Sequence, residues 1–528
     1  MSIVLSKGAD ATAPSGARSA SVVFVGILIS RVLGLVRQML FARYFGVGAE
    51  ADAFNAASKI PNLLRNLLGE GTLSASFVPV YSRMLAVGDE RASRALAAAV
   101  LGILLAGVSV LTVIGIVAAP VLTALFAPGF DAANAELTTR LLRVMFPMTG
   151  LMVASGWCLG VQNSHRRFFW SYASAALWSL AQIALLVGWG SRAASLVDLA
   201  WWLAWATLAG SALQVAAQLP EVYRLVGALR PTFDRDVEGV RQTLKNLGPV
   251  VVALGVVQIS GLIDLQIASF LPEGTTSNLV YANLIVLLPV SLFGISVAAS
   301  SLPEFARDSG AARRDALLER LRGGWQRILF YIVPCAVVFV LFGDLCVGLL
   351  LRTGRFGVVQ QNAVGVVLSA YAIGLISFAS VKLLSSAHYA LQDYRTPLRA
   401  SLASLVVSAV TAIALAYAFR TSPWAAAAIA LGSALGSFVN LSILARRLRG
   451  ELGVLYTPAM WTGTRRIVVA SVIAAACAAA VRYWLGERHP WVSAPPTFFV
   501  FGITYLVVAW RMGSHEAARL LRQSSRSA

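Results

Sequence analysis

Charge is scarce in this chain, and acidic charge scarcest of all. Asp, Glu, Lys and Arg together make 13% of 528 residues, with 24 acids against 43 bases. A soluble chain of this length carries about a quarter charged residues, so a string of soluble domains is excluded. Cysteine is equally sparse. Cys158, Cys335, Cys346 and Cys477 lie in or beside apolar runs without CxxC spacing, and read as small core residues, not as a disulfide frame or metal site. The four histidines, His165, His388, His489 and His515, fall in loops, near span ends or in the tail. No GxxxxGK[ST], no HExxH and no GxSxG in a strand–turn–helix context occurs. ATP hydrolysis and covalent catalysis are therefore not expected, and the chain reads as a transporter without cofactor, not an enzyme. The net charge of +19 gathers into no basic arm or aromatic platform, so nucleic acid is not an expected partner.

What fills the chain instead is apolar: 58% of residues, in recurring runs of about 20, each able to cross a ~30 Å hydrocarbon core as a helix. The expectation is an all-α polytopic membrane protein with about fourteen spans. They lie near 21–43, 52–85 (bent), 91–126, 138–162, 168–190, 196–224, 242–271, 276–305, 325–351, 361–391, 397–419, 424–446, 465–485 and 494–511. Every second connection is basic: SHRRFF (164–169), the stretch Arg230 to Arg241, RDSGAARRDALLERLR (307–322), DYRTPLR (393–399) and ARRLRG (445–450). The loops FGVGAEAD (45–52), APGFDAANAE (127–136) and LPEGTTSN (271–278) carry few or no cations. By the positive-inside rule the basic loops and both termini are cytoplasmic. Arg352, Arg355, Arg482, Glu487 and Arg488 are the exceptions, on the outer side.

Four short matches recur at one shift of about 222–230 residues: GSAL (210–213, 432–435), LFAPGF with LLRTGRF (125–130, 350–356), FVPVYSR with SLPEFAR (77–83, 301–307) and VQNSHRRF with ALQDYRTP (161–168, 390–397). They imply two pseudo-symmetric six-helix lobes, a transporter architecture with the substrate site between them. The expected division is a disordered N-terminus (1–20), an N-lobe (21–230), a C-lobe (231–450), two appended helices (451–512) and a short tail (513–528).

A charge at the bilayer centre costs roughly 2.5–3.5 kcal/mol on insertion scales, so each one calls for a reason. The first span holds Arg31, Arg37 and Arg43. Arg31 and Arg37, six residues apart, project about 120° from each other and suit a wide cavity. The second span adds Asp52, Lys59, Arg65 and Glu70. Pro61, Gly69 and Gly71 beside them predict a bent or partly unwound helix, which is tolerated where it lines a cavity. The cations outnumber the acids, which points to an anionic substrate, and arginine's planar fork suits a phosphate. In the second half Asp264 is the only deep acid of its span; it either coordinates a coupling cation or pairs with a base. Lys382, deep in the tenth span, is either that base or a second cavity cation.

The stretches SRVLGLVRQMLFARYFGVGAEADAF (30–54) and KIPNLLRNLLGEGTLSASFVPVYSR (59–83) resemble the opening signature of the MurJ/MviN family of lipid II flippases, within the MATE-like exporter superfamily. The likeness continues through APGF (127–130), QLP (218–220), SLPEFAR and GLISFASVKLLSSAHYALQDYRTP (374–397). The resemblance implies a MATE-like fold, a central cationic cavity, and two last helices forming a groove for a lipid tail. It implies transport of undecaprenyl-diphosphate-linked disaccharide-pentapeptide across a bacterial inner membrane by alternating access. It makes Arg31, Arg37, Asp52, Arg65 and Glu70 the cavity residues, with the arginines as substrate-binding groups and the two acids as gating or ion-pair residues; the deep charges Lys59 and Lys382 complete the expected substrate-binding set. It matches Asp264 to a sodium-site aspartate, with sodium or the membrane potential as energy source. Cell-wall synthesis and division proteins are the partners it suggests, and the chain is expected to act as a monomer. The sequence departs from the family at Asn283 and Leu284, where an Asp-Arg pair is common, at Asn66, at Gln38, and in an eleventh span whose polar residues are serines. The rival readings are a flippase for another polyprenyl-linked oligosaccharide, a cation-coupled drug exporter, or a scaffold for cell-wall synthases.

Overall fold

The computed structural model describes residues 16–228, 230–298, 301, 305, 314–420, 422, 424–486, 488–514 and 516–518. SLPEFAR (301–307) apart from Ser301 and Phe305, the first part of the basic loop 307–322, and most of both terminal segments lie outside the described residues. Among the described residues the chain is helical throughout, with no strand. The helices are α1 (Gly16–Phe45), α2 (Ala49–Leu68), α3 (Glu70–Ser76), α4 (Val78–Val87), α5 (Glu90–Val117), α6 (Ala119–Phe126), α7 (Ala132–Ser164), α8 (Phe169–Ala173), α9 (Ala175–Trp189) and α10 (Leu196–Val226). There follow α11 (Val240–Ser269), α12 (Thr275–Pro289, continued by a π-helical turn Val290–Ile295), α13 (Arg314–Leu351), α14 (Val358–Ile373), α15 (Leu375–Ala390), α16 (Arg395–Ala418), α17 (Ala425–Leu452), α18 (Pro458–Leu485) and α19 (Pro490–Arg511).

Each expected span coincides with one helix or one broken group, such as α2–α4, α5–α6 and α14–α15. Among the described residues ten spans are long and apolar enough to cross a membrane, or eleven with the 44° bent pair α14–α15. Local chemistry sets several of the starts. Asp89, Asp131, Ser195 and Thr457 each accept a hydrogen bond from a backbone N–H in the first turn of the helix that follows, satisfying donors that have no partner inside the helix.

The two halves repeat in three dimensions. In the first, α7 packs on α2, α5 and α10, and α9 on α1 and α10; in the second, α14–α15 packs on α12, α13 and α17, and α16 on α11 and α17. The turns after α7 and α15 share an uncommon feature, a non-glycine residue at positive φ: Arg166 (58°) and Gln392 (60°), 226 positions apart. Gln162 donates to the Gln218 carbonyl at 3.4 Å, and His388 Nε2 lies 3.2 Å from the Leu444 carbonyl, again 226 apart on both sides. The same shift corrects two matches: the counterpart of VQNSHRRF begins at Ala387, not Ala390, and GSAL is displaced as well. A Cβ on Gly210 would lie 2.9 Å from the Trp178 carbonyl oxygen, and one on Gly436 2.5 Å from that of Ser404. Gly436, not Gly432, is therefore the counterpart of Gly210. Gly432 lies one turn earlier on the same face, where it also touches α16, so a GS pair fits at either position.

The last two helices pack on each other and on α13. Arg482, a cation on the side where few are expected, is held by Asp344 through two hydrogen bonds of 3.0 and 2.6 Å. Trp491 Nε1 donates to the Leu349 carbonyl at 3.0 Å.

Gly436→Leu is expected to lower stability by about 1–3 kcal/mol by prising α17 from α16. Gly502→Leu, where nothing lies within 4 Å, should leave it unchanged. Thermal unfolding of the two purified variants beside the parent checks this.

Candidate functional site

Three polar constellations lie where the halves meet or within them. The first is at the end of the bundle whose loops are poor in cations. Asp52, in the first turn of α2, is 4% exposed and reaches across to the start of α12. Its carboxylate accepts hydrogen bonds from Gly274 N–H (2.7 Å), Ser277 N–H (2.7 Å) and Ser277 Oγ–H (2.6 Å). A buried carboxylate is costly unless it is satisfied, and here the donors and the positive end of the α12 dipole satisfy it. Tyr281 Oη donates to the Gly46 carbonyl (2.9 Å), and Asn55 Nδ2 to Ser277 Oγ (3.2 Å). Two further contacts are related by the repeat. The Arg355 N–H donates to the Arg43 carbonyl (2.8 Å), and the Gly129 N–H to Ser269 Oγ (3.1 Å). Each joins the long loop of one half to the end of the first long helix of the other.

The second constellation belongs to the first half. Arg37 of α1 and Arg65 of α2 both face the Trp178 ring of α9, with guanidinium carbons 4.7 and 5.7 Å from its centre. Arg37 Nη1 also donates to Gln182 Oε1 at 3.3 Å. Cation–π contact is worth about 2 kcal/mol where solvent is excluded, so the indole offsets part of the burial of two like charges. Arg37 Nε and Trp178 Nε1 are buried and have no acceptor among the described residues. Two unsatisfied donors on one cationic platform suit an anionic ligand with several oxygens.

The third is a cavity of about 460 Å³ bounded by α2, α11, α12 and α14–α17. Lys59, Lys382 and Asp264 line it together with Ser401, Ser404, Ser408, Ser433, Ser437 and three asparagines, Asn55, Asn283 and Asn440. Its existence follows from the repeat. Ser404 and Ser408 stand 226 positions after Trp178 and Gln182, so hydroxymethyl groups leave open what an indole and an amide fill in the first half.

The structure thus divides the residues expected to act together. Arg37 and Arg65 meet on Trp178, whereas Lys59 and Lys382 line the cavity of the second half. Arg31 is exposed on α1, six residues from Arg37. Among the described residues Asp52 is in no ion pair; it caps α12, whose first-turn amides donate to its carboxylate. Glu70 begins α3, and its side chain lies outside the described residues. Of the three helix breakers only Gly69 marks a break, with ψ of −133°. α2 runs through Pro61, and Gly71 sits within α3. A proline removes one helical hydrogen bond, which a packed helix survives. Trp178 and Gln182 had no signal in the sequence beyond being polar-capable residues in an apolar run. The serines did: Ser401, Ser404 and Ser408 recur at helical spacing, which places them on one face.

Comparison with known proteins was informative. A family profile described as "Lipid II flippase MurJ" matches residues 41–500. The chain is 30% identical over 496 residues to the "Probable lipid II flippase MurJ" of Haemophilus influenzae, covering 91% of this chain and 95% of that one. It is 30% identical over 511 residues to the "Lipid II flippase MurJ" of Burkholderia cenocepacia, covering 92% and 95%. Among solved structures, the fold is similar to a lipid II flippase MurJ in an inward closed conformation, with TM-score 0.73 and 21% identity over 92% of this chain and 97% of the other. It is also similar to an inward-facing multidrug resistance MATE family transporter, with TM-score 0.59 and 17% identity over 82% and 98%.

Removing the Asp52 cap frees the α12 amides. In Asp52→Ala, hydrogen exchange at residues 274–277 should quicken by about tenfold, equivalent to about 1.4 kcal/mol of lost protection. Exchange at the N-terminus of α10, capped by its own Ser195, should not change. Mass spectrometry of peptides from the two regions reads both.

Proposed function

The chain belongs to the lipid II flippase MurJ family, and from that membership we propose that it moves lipid II, the undecaprenyl-diphosphate-linked disaccharide-pentapeptide, from the inner to the outer leaflet of a bacterial cytoplasmic membrane. The observation that carries the chemistry is the Arg37–Arg65–Trp178 platform with its two unsatisfied donors. A diphosphate offers many acceptor oxygens and at least two negative charges, and takes up such donors without loss of its own hydrogen bonding. Arg31 meets the headgroup as it enters along α1. Sugars and peptide occupy the serine-lined cavity with Lys59 and Lys382. The polyprenyl tail stays in lipid, along the groove that α18 and α19 form against α13.

Transport proceeds by alternating access between an N-lobe (21–230) and a C-lobe (231–450), with 451–512 as the tail groove. The cation-poor end is the outer one, and both termini are cytoplasmic. Opening outward breaks the Asp52 cap on α12 and the paired loop contacts at Arg43 and Ser269. Charge-assisted hydrogen bonds of this type are worth about 1.5–3 kcal/mol each, so bound substrate must supply comparable stabilisation to the open form. The membrane potential assists: each negative charge carried outward gains about 2.3 kcal/mol per 100 mV.

In a bacterium depleted of its own lipid II flippase, expression of this chain should restore growth. Arg37→Ala and Arg65→Ala should each lower lipid II transport by about tenfold to a hundredfold, the loss of one charged hydrogen-bonding partner. A well-inserted parent chain that fails to rescue would refute the substrate. Rescue that survives the double replacement would remove the diphosphate role of the platform.

A further inference from the structure

The family likeness matches Asp264 to a sodium-site aspartate, and the residues around it test that match. Among the described residues Asp264 is the only carboxylate lining its cavity, and two ammonium groups, Lys59 and Lys382, line the same space. Tyr371 is the remaining titratable neighbour, and it is a phenol. Oxygen ligands hold an alkali cation where no net positive charge opposes it; this cavity, with one carboxylate and two ammoniums, has a surplus of positive charge. The hydroxyl groups of Ser404, Ser408 and Ser433 add dipoles but no charge.

The position of Lys59 is built, not incidental. It extends from α2 of the first half into the second, and its Cε and Nζ lie 3.1 and 3.2 Å from where a Cβ on Gly261 would stand. Gly261 precedes Asp264 by three residues on α11, so both are on one helix face. The missing side chain makes room for the ammonium beside the carboxylate. No direct ion pair joins them among the described residues; both line the same cavity. In the first half the position 226 residues before Asp264 is Gln38, a neutral amide. The carboxylate of this cavity thus shares its space with an ammonium that comes from the other half.

We propose that the Lys59 ammonium is the resident counter-cation of Asp264, in place of the sodium ion that the family resemblance implies, so that this cavity takes up no sodium ion. The positive surplus left on Lys382 then faces the substrate. The inference stands on the cavity's own residues and does not require the identity of the transported lipid.

The test is thermal unfolding of the purified full chain in nanodiscs, with sodium chloride replaced by choline chloride at constant ionic strength. The parent should show no sodium-dependent shift of its midpoint. Lys59→Gln leaves Asp264 without its partner and should gain a saturable, sodium-specific upward shift, which adding Asp264→Asn abolishes. A saturable upward shift by sodium in the parent overturns the proposal. So does a folded Lys59→Gln protein as indifferent to sodium as the parent. The parent measurement needs no variant and decides the matter if Lys59→Gln does not fold. No arm measures transport, so failure of lipid II rescue is a separate result.

Discussion

A buried carboxylate in a helical bundle must find donors, and Asp52 finds them in the other half of the molecule. The first turn of α12 has free amides that no residue of its own caps, and the first turn of α2 supplies the acceptor. Around this bond the cation-poor end is assembled from contacts that occur in pairs, one from each half. The pairing is not complete. Asn278, 226 positions after Asp52, leaves its Oδ1 buried without a partner among the described residues. α2 instead carries Glu50 and Asp52 in its own first turn, which oppose its dipole directly. One lateral link is thus charged and the reciprocal one is not, so breaking the charged link dominates the cost of separating the halves at this end.

The same asymmetry produces the two interior sites. A repeated backbone places α9 against α10 and α16 against α17 through close glycine contacts at Gly210 and Gly436. On that common frame the first half carries Trp178 and Gln182, and the second carries Ser404 and Ser408. Large side chains yield a platform that stacks two arginines; small ones yield a cavity. On one repeated scaffold, a few side-chain volumes make one half a cationic surface and the other a serine-lined cavity. An exporter of cationic drugs would need acids at the first of these places, which hold arginines.

The likeness to MATE transporters is one of fold, and the charge inside the fold is what separates the readings. The long match to lipid II flippases and the arginine platform point the same way: the signature that carries the match includes Arg65, and the fold brings it together with Arg37 on Trp178. The substitutions Asn283 and Leu284 fall near this chamber: Asn283 lines it. With an amide there in place of a charged pair, Lys59, Lys382 and Asp264 set its electrostatics.

Much was legible in the sequence. Apolar runs with loops of alternating charge determine a helical membrane protein, because hydrocarbon requires internal backbone hydrogen bonding whatever the detailed packing. Repeated motifs at one shift determine its pseudo-symmetry, and the arginines of the first two spans announce an anionic ligand. Which charges act together was not legible. Arg65 and Lys59 are neighbours on one helix, yet one turns to Trp178 and the other crosses to Gly261 and Asp264, some 200 positions away. Asp52 looked like a partner for a cation and is a cap for a distant helix. Contacts of this kind depend on which helices meet and on how much space each side chain leaves, quantities that arise only once the two halves are packed together.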